Sequence, residues 1–222
     1  MSAAHQWRVV VVGGHTRSVG KTQLVCDLIA ALPEMRFVAG KITQYGHGVC
    51  AQNGHDCDCA PDEHVRALDW ESGEDLTTDS GRFLAAGARK SFWLRTKQGF
   101  LAEGLPLLRE SLRQFEAEGS GSRNLILESN SLMQFWTPAI YLLVLDPAKE
   151  DFKESARREL DRASALVLRR EIGRAPAGWD TVPMKLILRK RYFLQREGED
   201  LPTDLVELVR EGVLGVSARM RG

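Results

Sequence analysis

The chain carries no net charge, since 30 lysines and arginines balance 30 aspartates and glutamates. No global field therefore draws it to nucleic acid or to an anionic membrane, and neither is expected as a partner. Nowhere does an apolar run approach the roughly 18 residues of a membrane span. The opening Met1-Ser-Ala-Ala-His-Gln6 has no basic stretch followed by an apolar one, so no signal peptide is expected either. A cytoplasmic location follows as the expectation. Cysteine is scarce, at four residues, and in a reducing compartment these read as thiols or metal ligands rather than disulfides. Internal repeats and low-complexity tracts are absent as well.

The 222 residues are 43% hydrophobic, enough to bury one α/β core, and residues 1–222 are expected to form a single domain. Apolar stretches at 8–12, 36–43, 90–96, 124–128, 139–145, 163–168 and 184–188 read as strands. Between them, helical spacing marks 23–32, 81–87, 105–115 (with Pro106 in a first turn), 149–162 and 205–213. Strands alternating with helices predict a three-layer, doubly wound, mainly parallel sheet. Residues 44–76 show little periodicity and read as a long functional insertion.

The first strand leads into Gly13-Gly14-His15-Thr16-Arg17-Ser18-Val19-Gly20-Lys21-Thr22, and a helix follows. Strand, glycine loop, Gly-Lys-Thr and helix form the context of a phosphate-binding loop. Glycines let backbone N–H groups approach phosphate oxygens, and the helix N-terminus adds partial positive charge. A chance Gly-Lys-Thr in a surface loop would lack those flanks. A four-residue spacing would put His15 where a glycine belongs, whereas counting from Gly14 gives five intervening residues. Gly14, Thr16, Arg17, Ser18, Val19, Gly20, Lys21, Thr22 and Gln23 are thus expected to bind a nucleoside triphosphate. Lys21 would bridge the terminal phosphates, and the Thr22 hydroxyl would ligate Mg²⁺.

In open parallel sheets, ligands sit beyond the carboxyl ends of strands. Glu128, closing Leu125-Ile-Leu-Glu128, is expected to hold Mg²⁺ or its water shell, the alternative being a plain cap or salt-bridge partner. Lys41, placed at the end of the second strand, could stabilise phosphoryl charge or lie solvated. Asp79, in Thr77-Thr-Asp-Ser80, could serve the metal or cap a helix. Lys21, Lys41, Asp79 and Glu128 are the candidate catalytic set.

The five-residue spacing resembles the loop of dethiobiotin synthetase and its relatives in the SIMIBI class of P-loop proteins. That class also holds the molybdopterin-guanine dinucleotide biosynthesis B family (MobB). The order Gly40-Lys41-Ile-Thr-Gln44, Asp79-Ser80, Ala86-Gly87-Ala88 and Leu127-Glu128 resembles the MobB pattern over roughly the first 145 residues. The resemblance implies NTP binding or hydrolysis coupled to cofactor or metal-centre maturation, a homodimer, and a cofactor-biosynthesis partner protein. Dethiobiotin synthetase normally follows its strand-end Glu with glycines, where this chain has Ser129-Asn130-Ser131. Arg169-Arg170 stand where an Asn-Lys base-reading motif would begin, so ATP and GTP both stay open.

All four cysteines and all five histidines lie within the first 64 residues. Cys50, Cys57, Cys59 and His64, with His47 and His55 alongside, offer the thiolate and imidazole ligands of tetrahedral zinc. An iron–sulfur cluster is the second option, and a reduced loop or a Cys50–Cys57 disulfide the bland one. Cys26, in the helix after the phosphate loop, reads as core. The expected function is a Mg-nucleotide NTPase. A ligase in which the γ-phosphate activates a substrate carboxylate is the rival, and a non-hydrolysing nucleotide- and metal-binding adaptor is the other.

Overall fold

A computed structural model describes residues 7–46, 65–119, 121, 123–173 and 176–215. The strands are β1 (Arg8–Gly14), β2 (Val38–Tyr45), β3 (Arg66–Trp70), β4 (Lys90–Lys97), β5 (Asn124–Glu128), β6 (Ile140–Leu145), β7 (Ala165–Leu168) and β8 (Tyr192–Leu194). They form one sheet in the order β3-β4-β2-β5-β1-β6-β7-β8. Every pairing is parallel except β3 with β4.

Through β5, β1, β6 and β7 the sheet is covered on both faces, as parallel strands require. Val10, Val11 and Val12 of β1 are fully buried. Because side chains alternate across a strand, Val9 and Val11 enter one core and Val10 and Val12 the other. The first core is roofed by α3 (Leu101–Ala117) through Leu101, Leu105, Leu108, Leu112 and Phe115. On the opposite face pack α1 (Lys21–Ala31), α2 (Asp79–Ala85) and α6 (Thr203–Leu214), through residues such as Leu24, Leu28, Phe83 and Val209. The three expected layers are present. Each fully buried valine or leucine contributes roughly 1.5–3 kcal/mol, so the two cores dominate the fold's stability.

Four local expectations are corrected. Met184–Arg189 is a helix, α5, and not a strand: the Leu186 and Ile187 N–H groups both donate to the Pro183 carbonyl, three and four residues back, while Ile187 is buried and Leu188 is 68% exposed. The edge strand is β8, a few residues later. Within 44–76, β3 adds an antiparallel strand whose half-exposed side chains give no clean period. The helix expected over 149–162 shrinks to α4 (Glu154–Arg158) and a 3-10 turn at Leu160–Arg162. Pro106 lies inside α3, past its first turn, because the helix already starts at Leu101.

Candidate functional site

β1 runs straight into the glycine loop, and α1 begins at Lys21. Two residues in the loop take left-handed backbone: Ser18 at φ 50° and Gly20 at φ 83°. A side chain on Gly20 would be strained by that φ and would also meet the Arg169 guanidinium at 2.7 Å. Gly14 is needed for space, since a Cβ there would lie 2.6 Å from Val19 and 2.9 Å from Lys21. Its N–H donates to Asn130 Oδ1 and its carbonyl accepts from Asn130 Nδ2, both at 2.7 Å. The Asn130 amide thus holds the start of the loop through both of its ends.

Lys21 Nζ folds back to donate to the Thr16 carbonyl at 3.3 Å. Burial lowers its pKa; Glu128 opposes that, while Lys153, Lys41 and Lys149 add to it. The Thr22 hydroxyl donates to Glu128 Oε2 at 2.7 Å. Parallel register explains the meeting, since Val12 lies opposite Glu128 and so brings the end of β5 beside the loop. Glu128 is also opposite Lys41 in β2, whose ammonium stands 3.7 Å from Glu128 Oε1 and forms an ion pair with Asp79. β2 continues four residues beyond Lys41 to Tyr45, so Lys41 is inside a strand but at the last position covered by β5, which stops there. Thr78, not Asp79, caps α2, accepting from the Gly81 N–H at 2.9 Å. Asp79 is left to face Lys41.

The candidate catalytic residues Lys21, Lys41, Asp79 and Glu128 therefore line one cleft together with Thr22. Thr22 Oγ1 and Glu128 Oε2 are hard oxygen donors in contact, the kind of pair that suits Mg²⁺. Of the other loop residues, Arg17 and Ser18 are exposed at the rim, and Thr16 donates to Asp151. Val19 buries its side chain in the core and offers only its backbone. Gln23 turns toward α2, accepting from Arg82 at 2.6 Å and donating to Asp27 at 2.7 Å. Cys26 is buried, as expected of a core thiol, and burial raises its pKa to about 11. Cys50, Cys57, Cys59 and His64 lie outside the described residues, as do His47 and His55. Among the described residues, no group of three or more His, Cys, Asp or Glu side chains could hold a metal.

Three contributors escaped the sequence reading. Asn130 follows Glu128 by two residues. Arg169, just past β7, donates to the carbonyls of Val19 (3.1 Å), Gly20 (2.6 Å) and Gln195 (3.3 Å). His15 is fully buried, its ring 5.2 Å from both Phe152 and Trp179. Asn130, two residues past β5, and Arg169, directly after β7, each stand just beyond a strand that ends at the cleft, and that position was the available signal.

No helix among the described residues is long and apolar enough to cross a membrane. No family model matches the chain, and no curated protein does. Among solved structures it is similar to LpxK of Aquifex aeolicus in complex with ATP, at 16% identity and a TM-score of 0.46, over 90% of this chain and 60% of that one. It thus spans about 60% of LpxK's length. HypB of Helicobacter pylori in complex with nickel is 14% identical with a TM-score of 0.46, over 93% of this chain and 87% of that one. A ParA-family ATPase of Chlorobium tepidum TLS is 14% identical with a TM-score of 0.41, over 96% and 93%. Likenesses this distant lend no residue roles, which rest on the loop's own geometry. A mainly parallel sheet, a glycine loop closing its β1 strand and a helix opening at Lys21 together constitute a P-loop NTPase fold.

Proposed function

We propose that this chain binds a Mg²⁺-nucleoside triphosphate in the cleft above β1 and β5 and hydrolyses its terminal phosphate. The observation that carries this reading is the Thr22 hydroxyl held 2.7 Å from Glu128, one residue after Lys21 at the opening of α1. Backbone amides of 16–21 and the Lys21 ammonium would hold phosphate oxygens. Thr22 and Glu128 would hold the Mg²⁺, which when bound neutralises charge on the bridging and terminal phosphates. Lys41 waits between two carboxylates, Asp79 and Glu128. Released from Asp79, it would be free to stabilise charge developing on the γ-phosphoryl group as water attacks and nucleoside diphosphate leaves.

At a finer level, the MobB-like order of Lys41, Asp79, Ala86-Gly87-Ala88 and Glu128 supports coupling of turnover to cofactor or metal-centre maturation, by a homodimer acting with a partner protein. Zinc at Cys50, Cys57, Cys59 and His64 belongs to the same reading.

Calorimetric titration with MgATP and MgGTP tests the core of this reading. The wild type is expected to bind at least one of them, and Lys21→Ala to lose that binding by about a hundredfold or more, since charge-assisted phosphate contacts are the strong ones. Equal binding by wild type and Lys21→Ala would remove the loop from the site. Hydrolysis that requires an added small carboxylic acid would instead favour the ligase.

A further inference from the structure

Residues 151–153, in the segment after β6, are attached to the phosphate loop one after another. The Thr16 hydroxyl donates to Asp151 Oδ2 at 2.5 Å. Phe152 packs on the His15 ring, 5.2 Å between centroids. The Lys153 N–H donates to the His15 carbonyl at 2.8 Å. The backbone thus places Lys153 beside the loop, and its side chain lines the same cleft as Lys21.

That ammonium has no hydrogen bond or ion pair among the described residues. The acid close to it, Asp151, is already engaged by Thr16. Burial lowers the Lys153 pKa and the neighbouring Arg17 guanidinium lowers it further, against Asp151. Lys153 is in turn the strongest of the like charges acting on Lys21. Lys21, Lys153 and Arg17 therefore crowd one loop, an arrangement that like-charge repulsion disfavours until an anion joins it.

We propose that Lys153, with Arg17 beside it, is a second phosphate-binding cation that grips the terminal phosphates of the nucleoside triphosphate from the β6 side of the loop. The sheet order supplies the geometry: β5 and β2 bring Glu128 and Lys41 to one side of β1, and β6 brings Lys153 to the other. The triphosphate would lie between them, so that its terminal group is read from both flanks. This rests on the nucleotide reading above.

The test compares wild type, Lys21→Ala, Lys153→Met and Lys153→Arg for binding of MgATPγS and MgADP, with MgGTPγS and MgGDP run alongside. Lys153→Met should weaken the triphosphate analogue about tenfold while changing the diphosphate far less, as expected for one lost charge-assisted contact. Lys153→Arg should recover most of that loss. The thermal midpoint should stay unchanged, because the tether uses the backbone N–H and not the side chain. An unchanged triphosphate-to-diphosphate preference in Lys153→Met, or an equal loss for both nucleotides, overturns the proposal while leaving the nucleotide reading intact. A wild type that binds neither nucleotide, or a Lys21→Ala that binds as well as wild type, overturns both.

Discussion

His15 occupies the position where a shorter loop spacing would place glycine, and its surroundings show why a large ring is kept there. Its side chain is fully buried against Phe152 and Trp179, with Nδ1 3.4 Å from the Val144 carbonyl. Burial holds its pKa below the ordinary value, and bonding to the Val144 and Lys149 backbone, with nearby Asp146 and Asp151, only partly offsets this. Below about pH 6.5 the unfolded chain therefore takes up a proton that the folded chain resists. Stability rises with pH across that window and falls as pH drops through it. His15→Phe keeps the ring packing and removes the proton site. Urea midpoints at about pH 5 and about pH 7.5 should differ less in this variant than in wild type, and an equal difference would show that His15 carries no part of the slope.

Elements meet at the site through two polar side chains that stand just past strand ends. Asn130 joins the β5 exit to Gly14, and Arg169 joins the β7 exit to Val19, Gly20 and the Gln195 carbonyl beyond β8. A single planar guanidinium reaches three carbonyls, which one ammonium cannot do. Arg169→Met should cost about 1–3 kcal/mol through carbonyls left without donors, and Arg169→Lys should recover little of it. Denaturant midpoints of the two variants measure this; full recovery in Arg169→Lys would mean that charge alone, and not the fork, holds the loop. At the same scale, β1, α1, β5 and β6 were legible because their apolar runs or helical faces are long and bounded by glycine, serine or proline. Met184–Arg189 was not legible, because its four apolar residues, Met184, Leu186, Ile187 and Leu188, are too short a run to separate the two periods, and only the backbone hydrogen bonds of the folded chain decide between them. β3 was hidden for the opposite reason, its residues being half exposed on an antiparallel edge.

For the whole molecule, function depends on what gathers at one end of the sheet. The thiols and imidazoles within residues 44–76 lie outside the described residues and bear on the maturation reading. Metal analysis of protein purified without chelator should find close to one zinc per chain, lost in a Cys57→Ser/Cys59→Ser variant. Equal metal in both forms would place it elsewhere, and none in either would end the zinc proposal. The sequence by itself determined the layered α/β class, the phosphate loop and the residue types of the site, because burial periodicity and glycine spacing are local properties of the chain. Only the tertiary structure decided which of those residues meet. Lys41 and Asp79 are 38 positions apart, Thr22 and Glu128 106, and Arg169 and Val19 150. Their contacts follow from strand order, and buried parallel strands of valine, leucine and isoleucine look alike in sequence whichever neighbour they take.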